Sequence, residues 1–366
     1  MLRYLFVITL VFLTALSCEK EKTLQEEFEE AAEKETWHFI PIPGMICRDN
    51  SNTGIGVRLK NNSNKVIIYL EGGGGCFNAV TCVANPSAFG QISFDSWQTV
   101  GLQFGIFDKG SSYNPFKDWN YIYIPYCTGD VHSGTSYNSY VNIVHQDQKM
   151  VGHNNITLAL EALKTYFGTR LDEVFLTGSS AGGYGTLINA NQVIEAFPNA
   201  TATVLDDSGP VLMDQNVQPD CLDDLWQGIF HTHIPDDFAD YTSGQYSTSM
   251  KSIYEYLSNK HPNVQFGLIS ALEDIVIREF YGYGVNNCAE STVVPAPLPA
   301  IDYKNALIYL RDSVFSRHTN WKTFYVNDAS HTFNLLPGTM QKEVNGVQYG
   351  QWINALRNRT ATHVYE

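Results

Sequence analysis

Residues 178–183 read Gly-Ser-Ser-Ala-Gly-Gly, between a short apolar run at residues 173–177 and a helical pattern at residues 182–197. A strand that turns directly into a helix leaves little room at the turn, so only small residues fit beside its apex. The apex residue, Ser180, is pushed out over the end of the sheet. The following helix aims its first N–H groups at the same point, where they favour negative charge. As a bare pattern G-x-S-x-G is weak, because glycine-serine stretches are common. In a strand–turn–helix setting it commits the chain to a sheet with helices packed on it, and it makes Ser180 a candidate nucleophile.

The rest of the chain agrees with such a layered fold. Residues 65–70, 119–125, 201–205, 265–269 and 322–326 are short apolar runs that read as buried strands. Helical patterns at residues 155–167, 249–258 and 305–316 lie between several of them. This alternation predicts a mostly parallel central sheet with helices on both faces. No internal repeat and no Pro/Gly linker divides residues 37–366. The long connection at residues 210–262, with Trp226, Phe230 and several Asp and His residues, reads as a cap inserted over one end of the sheet. His231 and His233 are read there as cap residues rather than metal ligands.

A serine hydroxyl of ordinary pKa is a poor nucleophile and needs a base and an orienting acid. In α/β-hydrolases the chain order is serine, then acid, then histidine, each on a loop at the carboxyl end of a strand. Residues 265–269 are followed by Ser270-Ala271-Leu272-Glu273-Asp274, and residues 322–326 by Asn327-Asp328-Ala329-Ser330-His331. Both have the right order and context, so the fold class is α/β-hydrolase-like, with Asp274 the chosen acid and His331 the base. Glu273 is a neighbouring rival, and Asp206 and Asp207 are rivals from the preceding loop. The run at 65–70 leads straight into Glu71-Gly72-Gly73-Gly74-Gly75-Cys76. Glycines let a backbone approach a substrate closely and turn its N–H groups inward. No Gly-Lys-Ser/Thr follows, as a phosphate-cradling loop needs, and no helix opens on G-x-G-x-x-G. The stretch reads as an oxyanion loop.

A formal charge of −15 argues against a nucleic-acid or anionic-membrane surface. With 44% hydrophobic and 17% charged residues the chain is not disordered. Aromatics at 13% suggest an aromatic-lined pocket, a carbohydrate surface or a large core. At the start, a basic residue, Arg3, precedes an apolar run at residues 4–16, too short to span a bilayer as a stable helix. Its end, Ala15-Leu16-Ser17-Cys18, resembles a bacterial lipoprotein signal. The expected organisation is therefore a signal peptide over residues 1–17, a lipidated Cys18 opening a charged tether over 18–36, and one α/β-hydrolase-like domain over 37–366. Eight Glu against three Lys in residues 19–35 support the tether. The expected location is an exported, membrane-anchored lipoprotein at the periplasmic or outer face. Six cysteines remain, an even number that favours disulfides in an exported chain. Cys76 and Cys82 are close enough to bridge a tight loop; the pairing of Cys47, Cys127, Cys221 and Cys288 stays open.

Taken together, Leu70-Glu71-Gly72-Gly73 with Cys76-Phe77-Asn78, residues 125–131 (Pro-Tyr-Cys-Thr-Gly-Asp-Val), residues 178–183 and Asp207-Ser208-Gly209 resemble the pectin acetylesterase family. With the Asp274 and His331 loops, these segments span most of residues 37–335. The resemblance implies a serine carboxylesterase with Ser180, Asp274 and His331 as triad, and the N–H groups of Gly73, Gly74 and Ala181 as oxyanion hole. It implies no metal and no cofactor, and an O-acetyl group on a polysaccharide such as pectin as substrate. A lipid-ester or thioester hydrolase on the same triad is the alternative, and a surface glycan-binding lipoprotein without turnover is another. Where the family's animal lipid esterase has aromatic residues after the first glycines, Gly74 and Gly75 stand here, which argues against a fatty-acyl substrate. Asp130 and His132, at the end of the second strand, either bind substrate or hold a turn.

Overall fold

Apolar runs that end abruptly at glycines or charged residues form the strands of one eight-stranded sheet. The computed structural model describes residues 22–141, 144–213, 217–244, 249–285, 288 and 295–366; residues 1–17 and Cys18, read as signal peptide and lipidation site, lie outside them. The strands are β1 (His38–Ile46), β2 (Asn52–Arg58), β3 (Lys65–Leu70), β4 (Asn120–Ile124), β5 (Ser136–Val141), β6 (Val144–Met150), β7 (Glu173–Ser179), β8 (Thr201–Asp207), β9 (Gln265–Ala271) and β10 (Trp321–Val326). In the sheet they run in the order β1-β2-β4-β3-β7-β8-β9-β10, while β5 and β6 form a separate hairpin. The pairs β1/β2 and β2/β4 are antiparallel, and every pair from β4 to β10 is parallel.

The helices are α1 (Leu24–Lys34), α2 (Ala79–Ala84), α3 (Gln91–Val100), α4 (Gly152–Phe167), α5 (Ala181–Ala196), α6 (Asp220–Phe230), α7 (Ile253–Lys260), α8 (Ile275–Val285), α9 (Ala300–Tyr309) and α10 (Tyr349–Arg357). Successive side chains of a strand point to opposite faces, so β3 serves two cores at once. Val66, Ile68 and Leu70 join Ile156 and Leu160 of α4 and Leu187 of α5 on one side. Ile67 and Tyr69 join Phe94 of α3 and Trp352 of α10 on the other. Burial on both faces explains why the central strands read as continuous apolar runs without alternation. Among the described residues no helix is long and apolar enough to cross a membrane.

The stretch read as a tether is corrected in part. Residues 24–34 form α1, whose Thr23 accepts a hydrogen bond from the Glu26 N–H in a capping box. Phe28, Ala31 and Ala32, at i, i+3 and i+4, are buried, and the Phe28 ring stacks on Tyr166 of α4 at 4.8 Å. Three small or apolar residues on one face suffice to dock a helix whose other faces are charged. The packed body thus begins near Thr23 instead of at residue 37. The connection at 210–262 divides: α6 lies over the carboxyl end of the sheet, whereas α7 returns to the core with Tyr254, Tyr256 and Leu257 buried. A disulfide from Cys221 to Cys288 ties α6 to the segment after α8.

Candidate active site

The β7–α5 junction holds Ser180 at φ 61° and ψ −120°, a left-handed conformation that a non-glycine residue seldom adopts. The neighbouring glycines are sterically required. A Cβ at Gly182 would lie 2.0 Å from the Leu70 carbonyl oxygen, and one at Gly178 would lie 2.4 Å from the Gly182 oxygen. The turn is anchored from below by the Ser180 N–H, which donates to the Asp207 carbonyl at 2.7 Å.

After β9, Asp274 is fully buried and accepts from the Val276 and Ile277 N–H groups at the start of α8, each at 3.0 Å. Its carboxylate oxygens lie 3.0 and 2.9 Å from Nδ1 of His331. That contact puts the imidazole proton on Nδ1 and leaves Nε2 as the basic nitrogen. The two loops are further joined by the Glu273 N–H, which donates to the Asp328 carbonyl. The rival acids face elsewhere. Asp206 accepts from the Gly209 N–H, and Asp207 from Ser179, Ser208, Phe333 and Asn334.

The glycine loop after β3 is oriented through its carbonyls. Asn85 Nδ2 donates to the Gly73 oxygen, and the Tyr126 hydroxyl to the Gly74 oxygen, both at 2.8 Å. In a trans peptide the next N–H points the opposite way, so the Gly74 and Gly75 N–H groups turn away from Asn85 and Tyr126. Gly74 reaches this arrangement at φ 76°. The loop ends on the Cys76–Cys82 disulfide, the pair expected from spacing, and the Cys76 N–H donates to the Gly129 carbonyl at 2.7 Å. The remaining bridge, Cys47–Cys127, links the end of β1 to the segment after β4.

Ser180, Ala181, Gly74 and Gly75 line one wall of a narrow cavity of about 60 Å³; Gly73 is not part of the lining. The opposite walls come from Trp226 and Phe230 of α6 in the cap, from Phe280 of α8, and from Phe77 and Tyr184. Asp223 also reaches the cavity, paired with the buried Lys251 ammonium at 3.1 Å. Sequence reasoning anticipated an aromatic-lined pocket but not Phe280, Tyr184 or Asp223, which nothing in local spacing singles out.

Asp130 and His132 are buried in the turn after β4, and neither lines the cavity beside Ser180. Asp130 is completely buried and accepts from Thr128 Oγ1 at 2.6 Å and the Gly152 N–H at 2.7 Å. His132 is buried with Nε2 2.8 Å from the Glu71 carbonyl, and burial holds its imidazole down to about 4, hence neutral. Between them Val131, at φ 50°, is the residue that faces the cavity. His231 caps α6, and the His233 ring stacks on His153 at 3.9 Å. Among the described residues no group of three His, Cys, Asp or Glu side chains converges on a metal position.

The Pectinacetylesterase family model matches residues 31–270. The chain is 29% identical over 199 residues to the palmitoleoyl-protein carboxylesterase NOTUM of Mus musculus, covering 51% of this chain and 38% of that protein. The corresponding protein of Schmidtea mediterranea is 31% identical over 159 residues, covering 42% and 29%. The chain therefore spans less than half the length of these curated relatives. The solved structure of the Wnt deacylase Notum from Drosophila superposes with a TM-score of 0.63 at 18% identity, over 90% of this chain and 95% of that one, and shares its fold.

Proposed function

The chain belongs to the pectinacetylesterase family, and from that premise we propose that it is a serine carboxylesterase acting on short acyl groups. The observation that carries the reading is the contact of His331 Nδ1 with both oxygens of buried Asp274, on a loop tied through Asp207 to the Ser180 elbow. In this mechanism Ser180 Oγ attacks the ester carbonyl carbon while its proton passes to His331 Nε2. The oxyanion is held by the N–H groups of Gly74 and of Ala181 at the first turn of α5, the two of the three expected donors whose residues line the cavity. Collapse expels the alcohol with the proton from His331, and water then attacks the acyl-serine by the same route in reverse. Asp274 keeps the imidazole in its working tautomer and offsets its positive charge.

Acyl size is argued from the cavity. The cavity beside Ser180 is lined mostly by apolar side chains, among them Phe77, Tyr184, Trp226 and Phe280. A Cβ at Gly74 would lie 3.0 Å from Phe280 Cζ, and one at Gly75 would lie 3.1 Å from Phe230 Cζ. Two rings, from α6 and α8, thus fill the space beside the glycine loop. An O-acetyl group on a polysaccharide such as pectin fits that space and the family. Nitrophenyl acetate, pentanoate and palmitoleate esters, with acetylated pectin and xylan, test the proposal in parallel. Acetate should be hydrolysed best, and Ser180→Ala should be inactive while folded; a palmitoleate preference would favour a lipid ester instead.

The three disulfides support an exported protein, and we extend the proposal to a lipid anchor at Cys18. The wild type should partition with membranes and Cys18→Ala should not; a mature chain that begins at another residue would end this part.

A further inference from the structure

Asp207 lies between the two loops that carry the proposed nucleophile and base, and its contacts reach both. On the elbow side its carbonyl accepts from the Ser180 N–H at 2.7 Å, and its Oδ2 from Ser179 Oγ at 2.7 Å. On the other side its carboxylate accepts from the Phe333 N–H at 3.0 and 2.9 Å and from the Asn334 N–H at 2.8 Å. Ser208 Oγ donates to Oδ1 at 3.0 Å. The carboxylate is completely buried, and a buried carboxylate is tolerated only where several donors satisfy it. Here two of those donors are backbone groups two and three residues beyond His331. Between them and the histidine, Thr332 stands at φ 64°, a left-handed residue that reverses the chain. Such a conformation persists only where its surroundings hold it. Asn334 is fixed in turn by Thr177 and Tyr349, so the downstream half of the loop is rigid.

We infer that Asp207 is a positioning residue: one carboxylate clamps the Ser180 elbow and the His331 loop together and so sets the approach of hydroxyl to imidazole. This rests on the serine-esterase reading above. Asp207 does not touch His331 and is not the triad acid. Its effect runs through geometry, and a misplacement of about 1 Å between reacting groups costs roughly a hundredfold in rate.

The test is Asp207→Asn, which keeps the shape but replaces one acceptor oxygen with an NH₂ facing an N–H donor. On nitrophenyl acetate kcat should fall by about a hundredfold with KM within about twofold, because the cavity walls are untouched. The midpoint of the pH–rate profile should stay where it is, as loss of a group bonded to the imidazole would not allow. Ser179→Ala, which removes a single tie and disturbs folding least, should lower kcat several-fold at an unchanged melting temperature. A folded Asp207→Asn with wild-type kcat, or a shifted pH midpoint, overturns the inference. Should Asp207→Asn not fold, full kcat in Ser179→Ala overturns it equally. Esterase activity that survives Ser180→Ala would instead overturn the serine reading itself.

Discussion

Phe280→Ala should shift the proposed esterase toward longer acyl groups while the chain stays folded. Phe280 stands on α8 with its ring tip against the glycine loop, 3.0 Å from where a Gly74 side chain would begin. It lines the cavity beside Ser180 and is only partly buried. Removing the ring opens room for about three methylenes, and each buried CH₂ is worth about 0.8 kcal/mol. A pentanoyl group carries three methylenes more than acetyl, so the gain is about 2.4 kcal/mol, or roughly 50-fold in relative kcat/KM. The stability cost should stay below the roughly 3–5 kcal/mol of a fully buried Phe. Phe230→Ala, at a buried position, would incur that full cost and is the poorer probe. The assay is kcat/KM on nitrophenyl acetate, pentanoate and octanoate for wild type and variant, with melting temperatures alongside. A folded variant whose pentanoate-to-acetate ratio stays at the wild-type value would refute the reasoning, since the acyl group would then not enter this cavity.

Asp274→Asn should lower kcat by about 10⁴-fold while Glu273→Gln leaves it nearly unchanged; the reverse pattern, read from steady-state kinetics, would move the acid role. The Cys76→Ser/Cys82→Ser pair should reduce turnover more than melting temperature, because so small a loop contributes about 2 kcal/mol of stability yet ends the oxyanion loop; full activity in the double variant would remove that role. Burial holds the Glu71 carboxyl up to about 7, so the folded chain keeps a proton that the unfolded chain loses near 4.5. Its stabilisation is therefore complete below about 4.5 and is lost as pH rises through about 7, by up to about 3 kcal/mol; Glu71→Gln should flatten the melting-temperature slope between pH 5 and 8, and parallel slopes would contradict this.

The parts of the site that were legible are those fixed by neighbours in the chain. Ser180 announces itself because a strand, a tight turn and a helix all lie within a few residues of it. Asp274 and His331, the proposed acid and base, are chosen from chain order, since each comes just after an apolar run that forms a strand. The edge strands were harder. In β1, Pro41, Pro43 and Gly44 break the pattern, and a bulge separates its two paired stretches. Helix α1 was hidden by its charges, because three residues on one face do not register in composition. Asp130 and His132 show the limit most clearly. Their residue types suit a binding site, but whether they face a cavity or a buried turn depends on Gly152 and Glu71, distant in sequence.

Asp207 extends the same lesson from location to role. In the sequence it is one of four acidic residues able to serve a histidine, and its type alone cannot separate them. The separation comes from donors 126 and 127 residues away, Phe333 and Asn334, which occupy its carboxylate and turn it from acid into clamp. Acyl specificity has the same origin. Gly74 and Gly75 signal only that side chains are missing beside the nucleophile; the volume they vacate is taken by Phe280 and Phe230 from helices that join the site only after folding. The reaction is thus written in local motifs that any member of the fold can share. In the proposed esterase the size of the accepted group is set where Phe280 and Phe230 pack against the glycine loop, and that is where relatives acting on different acyl groups should differ.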